Sequence, residues 1–391
     1  MVRGREWSWE PGRPFLDPGV ESHAVAATPV VSPRIRARTL SETTLFVATL
    51  IGFLIFEAGG HVDVWYHQHY GFAIESFLTW PHALLYAGWI ASTAPAAAYL
   101  FESNALKVPR SQMLPEGYPV VLLFGAAFGA AGFFDLIWHT LFGFEVTQET
   151  LVSPSHIAII FTAGLGFVGL AWVAISRRRR EPAPRLFMDL VVAISVGILL
   201  RHSLYTLLYS QPFDADYASG GAIAGQVFGF KGITAWRDEA AQVAGISGVI
   251  LYSMLLSLFV VVPLRRLRLA SSALAVIVLW NAAFSVLGIP EMWIYLPAAL
   301  GSAIVGEAIW AAMGRGALGG RDGRHGYWVI GFAVPAAQFF LYFAIMAAVG
   351  GGIIWSTALW AGMPILAGLY GLIASGLAIP PRFLSAEHAE N

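Results

Sequence analysis

Two stretches of the chain carry the same set of metal-capable side chains in the same order. The first reads Asp63-Val-Trp-Tyr-His67, followed by Glu75 and then Trp80-Pro81-His82. The second reads Asp135-Leu-Ile-Trp-His139, followed by Glu145 and then Ser153-Pro154-Ser-His156. Gly60 and Gly132 precede the two aspartates at the same offset. Asp and His four positions apart share one face of a helix, with Cβ atoms about 5–6 Å apart, so a single ion can bridge both. Pro81 and Pro154 suit the first turn of a following helix, and Ser153 is a good N-cap. His82 and His156 are therefore expected in the first turn of the returning helix, facing the Asp–His pair across a short loop. Each hairpin then offers an Asp-His-His set: Asp63, His67 and His82 in one, Asp135, His139 and His156 in the other. Imidazole nitrogen with some carboxylate suits copper, zinc or iron. The chain has no cysteine, which excludes thiolate zinc sites, iron–sulfur clusters and disulfides. His61 and His69 flank the first copy without a counterpart in the second, and are expected beside the ligands or at the membrane interface. A bis-histidine haem needs facing histidines at mid-depth and no partner aspartate, so it fits this pattern less well.

The elements that must position these residues are membrane helices. Of 391 residues, 57% are hydrophobic and only 12% charged, with a mean hydropathy of +0.66. A soluble domain of this length would need far more charge to cover its surface. Apolar runs long enough to span a bilayer recur along the sequence. The expected fold is an all-α polytopic bundle of ten spans, near 43–66, 80–101, 118–142, 154–176, 186–209, 239–262, 270–288, 292–313, 327–349 and 353–378. Gly288 and Pro290 could instead mark a kink, making the seventh and eighth one broken region. With the N-terminus inside, every Lys and Arg except Arg201, Lys231 and Arg237 falls in a cytoplasmic segment. That asymmetry predicts N-in, C-in topology. It sets both ligand sets toward the outer face of a prokaryotic inner (plasma) membrane. A net charge near −1 gives no reason to expect nucleic acid, and the lipid bilayer is the partner the composition requires.

Three regions follow. Residues 1–40, rich in Arg and Pro and without an apolar run, read as a disordered cytoplasmic tail with no cleavable signal. Residues 41–176 read as a duplicated pair of helical hairpins carrying the metal ligands. Residues 177–391 read as six further helices without an assigned role. Within them, Arg201 and His202 suit either an interfacial anchor or a partner for an acidic cluster or a substrate. Glu57 and Glu307 suit proton carriage, pairing with Arg201, or helix packing. Residues 210–237 form a long outer loop that could lid the metal face. Arg177 to Arg180 reads as a topology determinant, and the 14 Trp mainly as interfacial belts.

The first hairpin resembles the C subunit of the copper membrane monooxygenases, the particulate methane and ammonia monooxygenase family. That subunit carries Asp-x3-His followed by a Thr-Pro-x-His or Ser-Pro-x-His helix start, with an Asn-x3-His unit one hairpin later. Asp63, His67 and His82 match the first unit, with Trp80-Pro81-His82 at the helix start. Asp135 and His139 match the second, with Asp135 where the family has Asn, and Ser153-Pro154-Ser-His156 is close to the family's helix start. The resemblance covers about residues 45–165. It implies copper as the ion, a second site that borrows His82, and a hetero-oligomer with other membrane subunits. It also implies an oxygen-dependent monooxygenase or oxidase component acting on a small apolar substrate. The residues leave two other readings open. One is a zinc-dependent intramembrane lipid hydrolase with Glu75, Glu145 or Glu149 as base. The other is a metal carrier or sensor without catalysis. No individual catalytic residue is singled out by the pattern, and no organic cofactor.

Overall fold

A computed structural model describes residues 39–70, 79–145, 152–180, 185–207, 210–219, 239–349 and 351–380. The tail through residue 38, Glu75, Glu149 and the part of the outer loop from 220 onward lie outside the described residues. The described residues form ten α-helices: α1 Glu42–Tyr70, α2 Trp80–Ala105, α3 Tyr118–Phe142, α4 Pro154–Arg180, α5 Arg185–Tyr205, α6 Glu239–Leu267, α7 Ala273–Gly288, α8 Leu296–Gly314, α9 His325–Val349 and α10 Thr357–Ala378. Among the described residues, nine segments are long and apolar enough to cross a membrane. The chain is a polytopic helical membrane bundle, as its composition requires.

The seventh expected span is the short one. At 16 residues, α7 is about 24 Å long, against a hydrocarbon core of about 30 Å. It nevertheless runs between the two ends of the bundle. Near its start the backbone N–H of Ala270 donates to Asp189 Oδ2 of α5 at 2.9 Å. Near its end Ser285 Oγ accepts from Arg201 Nη1, twelve residues further along α5, at 3.2 Å. Ser272 has a left-handed backbone and caps nothing. Instead Glu307 of α8 accepts from the Ala275 N–H at 3.0 Å, satisfying a donor that an uncapped helix start leaves exposed. Glu307 is therefore a helix-packing residue.

Among the described residues, arginines other than Arg201 gather at one end. Arg177 donates to the Glu42 carbonyl at 2.9 Å, Arg178 to Leu267 at 2.8 Å, Arg185 to Arg268 at 3.1 Å and Arg265 to Arg321 at 3.1 Å. At the same end Glu116 accepts from Trp172, Ser176 and Arg180. These donors, Trp172 foremost, hold its carboxyl below the usual carboxylate range.

The two N-terminal helices touch backbone to backbone. A Cβ added at Gly59 would fall 2.6 Å from Leu85 Cα, and one at Gly52 or Gly88 would overlap the backbone of Ser92 or Phe56. Gly88, Ser92 and Ala96 line the contact side of α2 at four-residue spacing, all buried. Small residues at this spacing let membrane helices approach closely where no hydrophobic force drives them together. Phe53, Phe56, Phe124, Phe128 and Phe167 then lock α1, α3 and α4 through ring contacts of 5.0–6.2 Å. We expect Gly88→Leu to cost about 1–3 kcal/mol by overpacking and to separate Asp63 and His67 from His82. Metal retention at the first set and thermal unfolding check this together. Full retention with unchanged stability would show that the contact does not position the set.

Candidate metal centre

Each set forms across a hairpin as helix geometry dictates. Asp63 and His67 sit one turn apart on α1, and His82 follows Pro81 in the first turn of α2. Asp63 Oδ1 lies 3.4 Å from His67 Nε2 and 3.3 Å from His82 Nε2. In the second hairpin Asp135 Oδ1 lies 3.3 Å from His139 Nε2 and 3.9 Å from His156 Nε2. Within each set of three, the candidate ligand atoms all lie within 4.8 Å of one another. Ligands about 2.1 Å from a tetrahedral ion stand about 3.4 Å apart, so these spacings leave room for an ion at the centre of each set. Asp63 Oδ1 and Asp135 Oδ1 are buried without a hydrogen bond of ordinary geometry, facing histidine Nε2 atoms at 3.3–3.4 Å. A buried carboxylate oxygen without a donor is costly unless something cationic faces it. That is an electrostatic case for an ion at both places.

The second set carries its own orienting contacts. His139 Nδ1 donates to the Gly143 carbonyl at 3.2 Å, and its ring stacks on Phe144 at 4.4 Å. Ser153 Oγ contacts His156 Nδ1 at 2.8 Å and accepts the His156 backbone N–H at 3.4 Å. With Ser153 Oγ accepting from Nδ1–H, both rings keep the Nε2 lone pair for a ligand, the arrangement that fixes tautomer and aim at metal-binding histidines. Ser153, expected only as a helix cap, thus also orients a candidate ligand. Ser153→Ala is expected to weaken metal binding at this set by about 10–100-fold and leave the first set unchanged, as read by competitive chelator titration. Equal affinity in both proteins would remove Ser153 from the site.

Glu145 lies behind His139 and not in front of it. Its Oε2 is 3.5 Å from His139 Nδ1, the nitrogen turned away from Asp135, and Oε1 accepts from the Trp138 indole at 2.7 Å. A water-activating base would have to face the open side of the ion, so this position suits an orienting carboxylate better. His156 completes the second set from its own hairpin, and His82 contacts Asp63 in the first.

Both sets line one cavity of about 180 Å³. Tyr86, one turn beyond His82, reaches across to the second hairpin, where a Cβ on Gly132 would meet its hydroxyl at 3.5 Å. Phe56, Leu85, Phe128 and Ile159 supply apolar wall. The same cavity continues inward to Glu57, His61, Arg201 and His202. His61 is therefore a cavity residue, while His69 is exposed and donates to the Trp65 carbonyl at 2.8 Å.

Comparison with protein-family models, curated proteins and solved structures gives no match.

Arg201 has a partner that the sequence pattern does not announce. Its guanidinium meets Asp214 at 2.6 and 3.3 Å, and Asp214 also accepts from Gln211. Residues 210–219 are buried throughout. This part of the expected lid is folded into the bundle, where Tyr342 donates to the Pro212 carbonyl at 2.8 Å and Tyr295 to Asp216 at 3.3 Å.

Proposed function

We propose that the chain is a membrane metal-binding protein that holds copper at two Asp-His-His sets, as a component of an oxygen-dependent monooxygenase or oxidase acting on a small apolar substrate. The observation that carries this reading is the opening of both sets onto one largely apolar cavity. Copper bound there would supply one-electron redox chemistry toward dioxygen. The protein's own contribution is positional. Asp63 and Asp135 offset the ion charge, and the four histidines present Nε2. Gly143 and Ser153 hold two of the rings in aim. The apolar wall limits water and dissolves both dioxygen and an apolar substrate.

The collection of arginines at one end of the bundle supports an orientation with that end in the cytoplasm and the metal sets toward the outer face. The resemblance of the first hairpin to the copper monooxygenase C subunit supports copper over zinc, and further membrane subunits as partners. The position of Glu145 behind His139 favours this reading over a zinc hydrolase.

The test is elemental analysis of the protein purified without chelators, followed by oxygen consumption with a supplied reductant. Copper, together with reductant-dependent oxygen uptake that disappears in Asp63→Ala with Asp135→Ala, supports the proposal. Zinc alone would favour the hydrolase. Copper without oxygen uptake would favour a carrier or sensor.

A further inference from the structure

The metal sets leave the inner end of the cavity without a role, and that end is rich in hydrogen-bond acceptors. Glu57 is 5% exposed on α1, and its Oε1 accepts no hydrogen bond of ordinary geometry. The Trp280 indole is its neighbour. His61, one turn along, donates Nδ1–H to the Glu57 carbonyl at 2.7 Å, and its ring packs on Phe284 with centroids 3.5 Å apart. His202 on α5 donates Nδ1–H to the Ile198 carbonyl at 2.9 Å. A backbone carbonyl can only accept, so in each neutral ring the remaining nitrogen, Nε2, carries the lone pair. Arg201, the strongest donor lining this end, is spent on Asp214 and Ser285. Two imidazole acceptors and a buried carboxyl oxygen therefore line this end, with the Trp280 indole N–H as the donor beside the carboxyl. Among the described residues these groups do not converge closely enough to hold an ion, since only the two Asp-His-His sets do.

We infer that Glu57, His61 and His202 form an anchoring subsite for the hydroxyl end of a small, otherwise apolar molecule, whose apolar part then extends along the cavity toward the metal sets. A hydroxyl can donate to an imidazole Nε2 and accept from the Trp280 indole N–H beside Glu57, and Phe284 and Phe56 supply wall for a flat or short hydrocarbon portion. Buried acceptors left without a donor discriminate strongly against a ligand that cannot donate, because the penalty of burying them unpaired is then not relieved. The inference rests on the cavity being the substrate chamber of the proposed metal centre, and it narrows the substrate from any apolar molecule to one ending in a hydroxyl.

The test uses the full chain in lipid nanodiscs, with 4-methylphenol and 4-methylanisole as probes. These share a ring and a methyl group and differ in whether the oxygen can donate. Titration calorimetry against empty nanodiscs is expected to show 4-methylphenol binding about 10–100-fold more tightly. His202→Phe and Glu57→Leu are each expected to erase most of that preference while metal content, measured on the same preparations, stays unchanged. Should Glu57→Leu fail to fold, His202→Phe alone decides. Equal affinity for the two probes, or a preference that survives in the variants, overturns the subsite. A preparation that prefers 4-methylphenol yet holds no metal supports the subsite and overturns the metal centre instead, so the two failures are distinguishable.

Discussion

Purified without chelator, the full chain is expected to carry two metal ions, and His82→Ala or His156→Ala to carry one. Each set draws two donors from one helix and the third from the helix that returns. Removing the third leaves only an Asp–His pair one turn apart. Loss of an orienting contact behind a ligand already costs about 10–100-fold in affinity, and loss of the ligand itself is expected to exceed that. The variant set should thus be empty after dialysis at concentrations that keep its neighbour filled. Metal per chain by mass spectrometry, on His82→Ala, His156→Ala and the double variant, should read one, one and none. If either single variant loses both ions, the two sets act as one centre. If neither loses any, the ions are held elsewhere and the ligand assignment is wrong.

The second large effect concerns stability. Arg201 and Asp214 are both buried and paired through two contacts. Removing one partner strands a charge in a low-dielectric interior, which costs about 3–5 kcal/mol. Arg201→Leu and Asp214→Leu are each expected to lower the thermal midpoint sharply. The double variant should recover much of the loss, since an apolar pair of similar volume is often no less stable than a buried ion pair. Thermal unfolding in one detergent, across all four proteins, completes the double-mutant cycle. A double variant as unstable as the worse single would mean that Gln211 and Ser285 need the charges in place, and that the pair cannot be treated in isolation.

The contrast between these two features explains what was readable from sequence. The ligand sets were legible because their spacing is local: Asp63 and His67 share a helix face by periodicity, and Pro81 and Pro154 mark where the returning helices begin. The hydrophobic runs likewise mark the helices, since a bilayer demands long apolar segments. Asp214 was not legible as a partner of Arg201, because it lies in a polar stretch between spans that reads as exposed loop. Only the packing of that stretch against α9, through Tyr342 and Pro212, buries it. The length of α7 was hidden for a related reason. Residues 270–272, Ala-Ser-Ser, carry no charge that would end the run, but Ser272 adopts a left-handed backbone and the helix starts after it, capped from α8 by Glu307. Both misses rest on contacts between separate segments of the chain, which periodicity along one segment cannot show. The inner subsite was half visible: Glu57, His61 and His202 stood out as ionisable groups, but nothing in their spacing brings α5 to α1.

The straddling of each hairpin by its ligand set has a mechanical consequence. An ion held by Asp63, His67 and His82 fastens the end of α1 to the start of α2, closing the intervening chain into a loop, and the second set does the same for α3 and α4. Closing a loop of roughly 15 residues removes on the order of 3 kcal/mol of chain entropy from the unfolded ensemble. Each ion is then a reversible clip, in the way that a disulfide is a permanent one, in a chain that contains no cysteine. Metal supply would set not only whether the centre can react, but how firmly this end of the bundle is held shut.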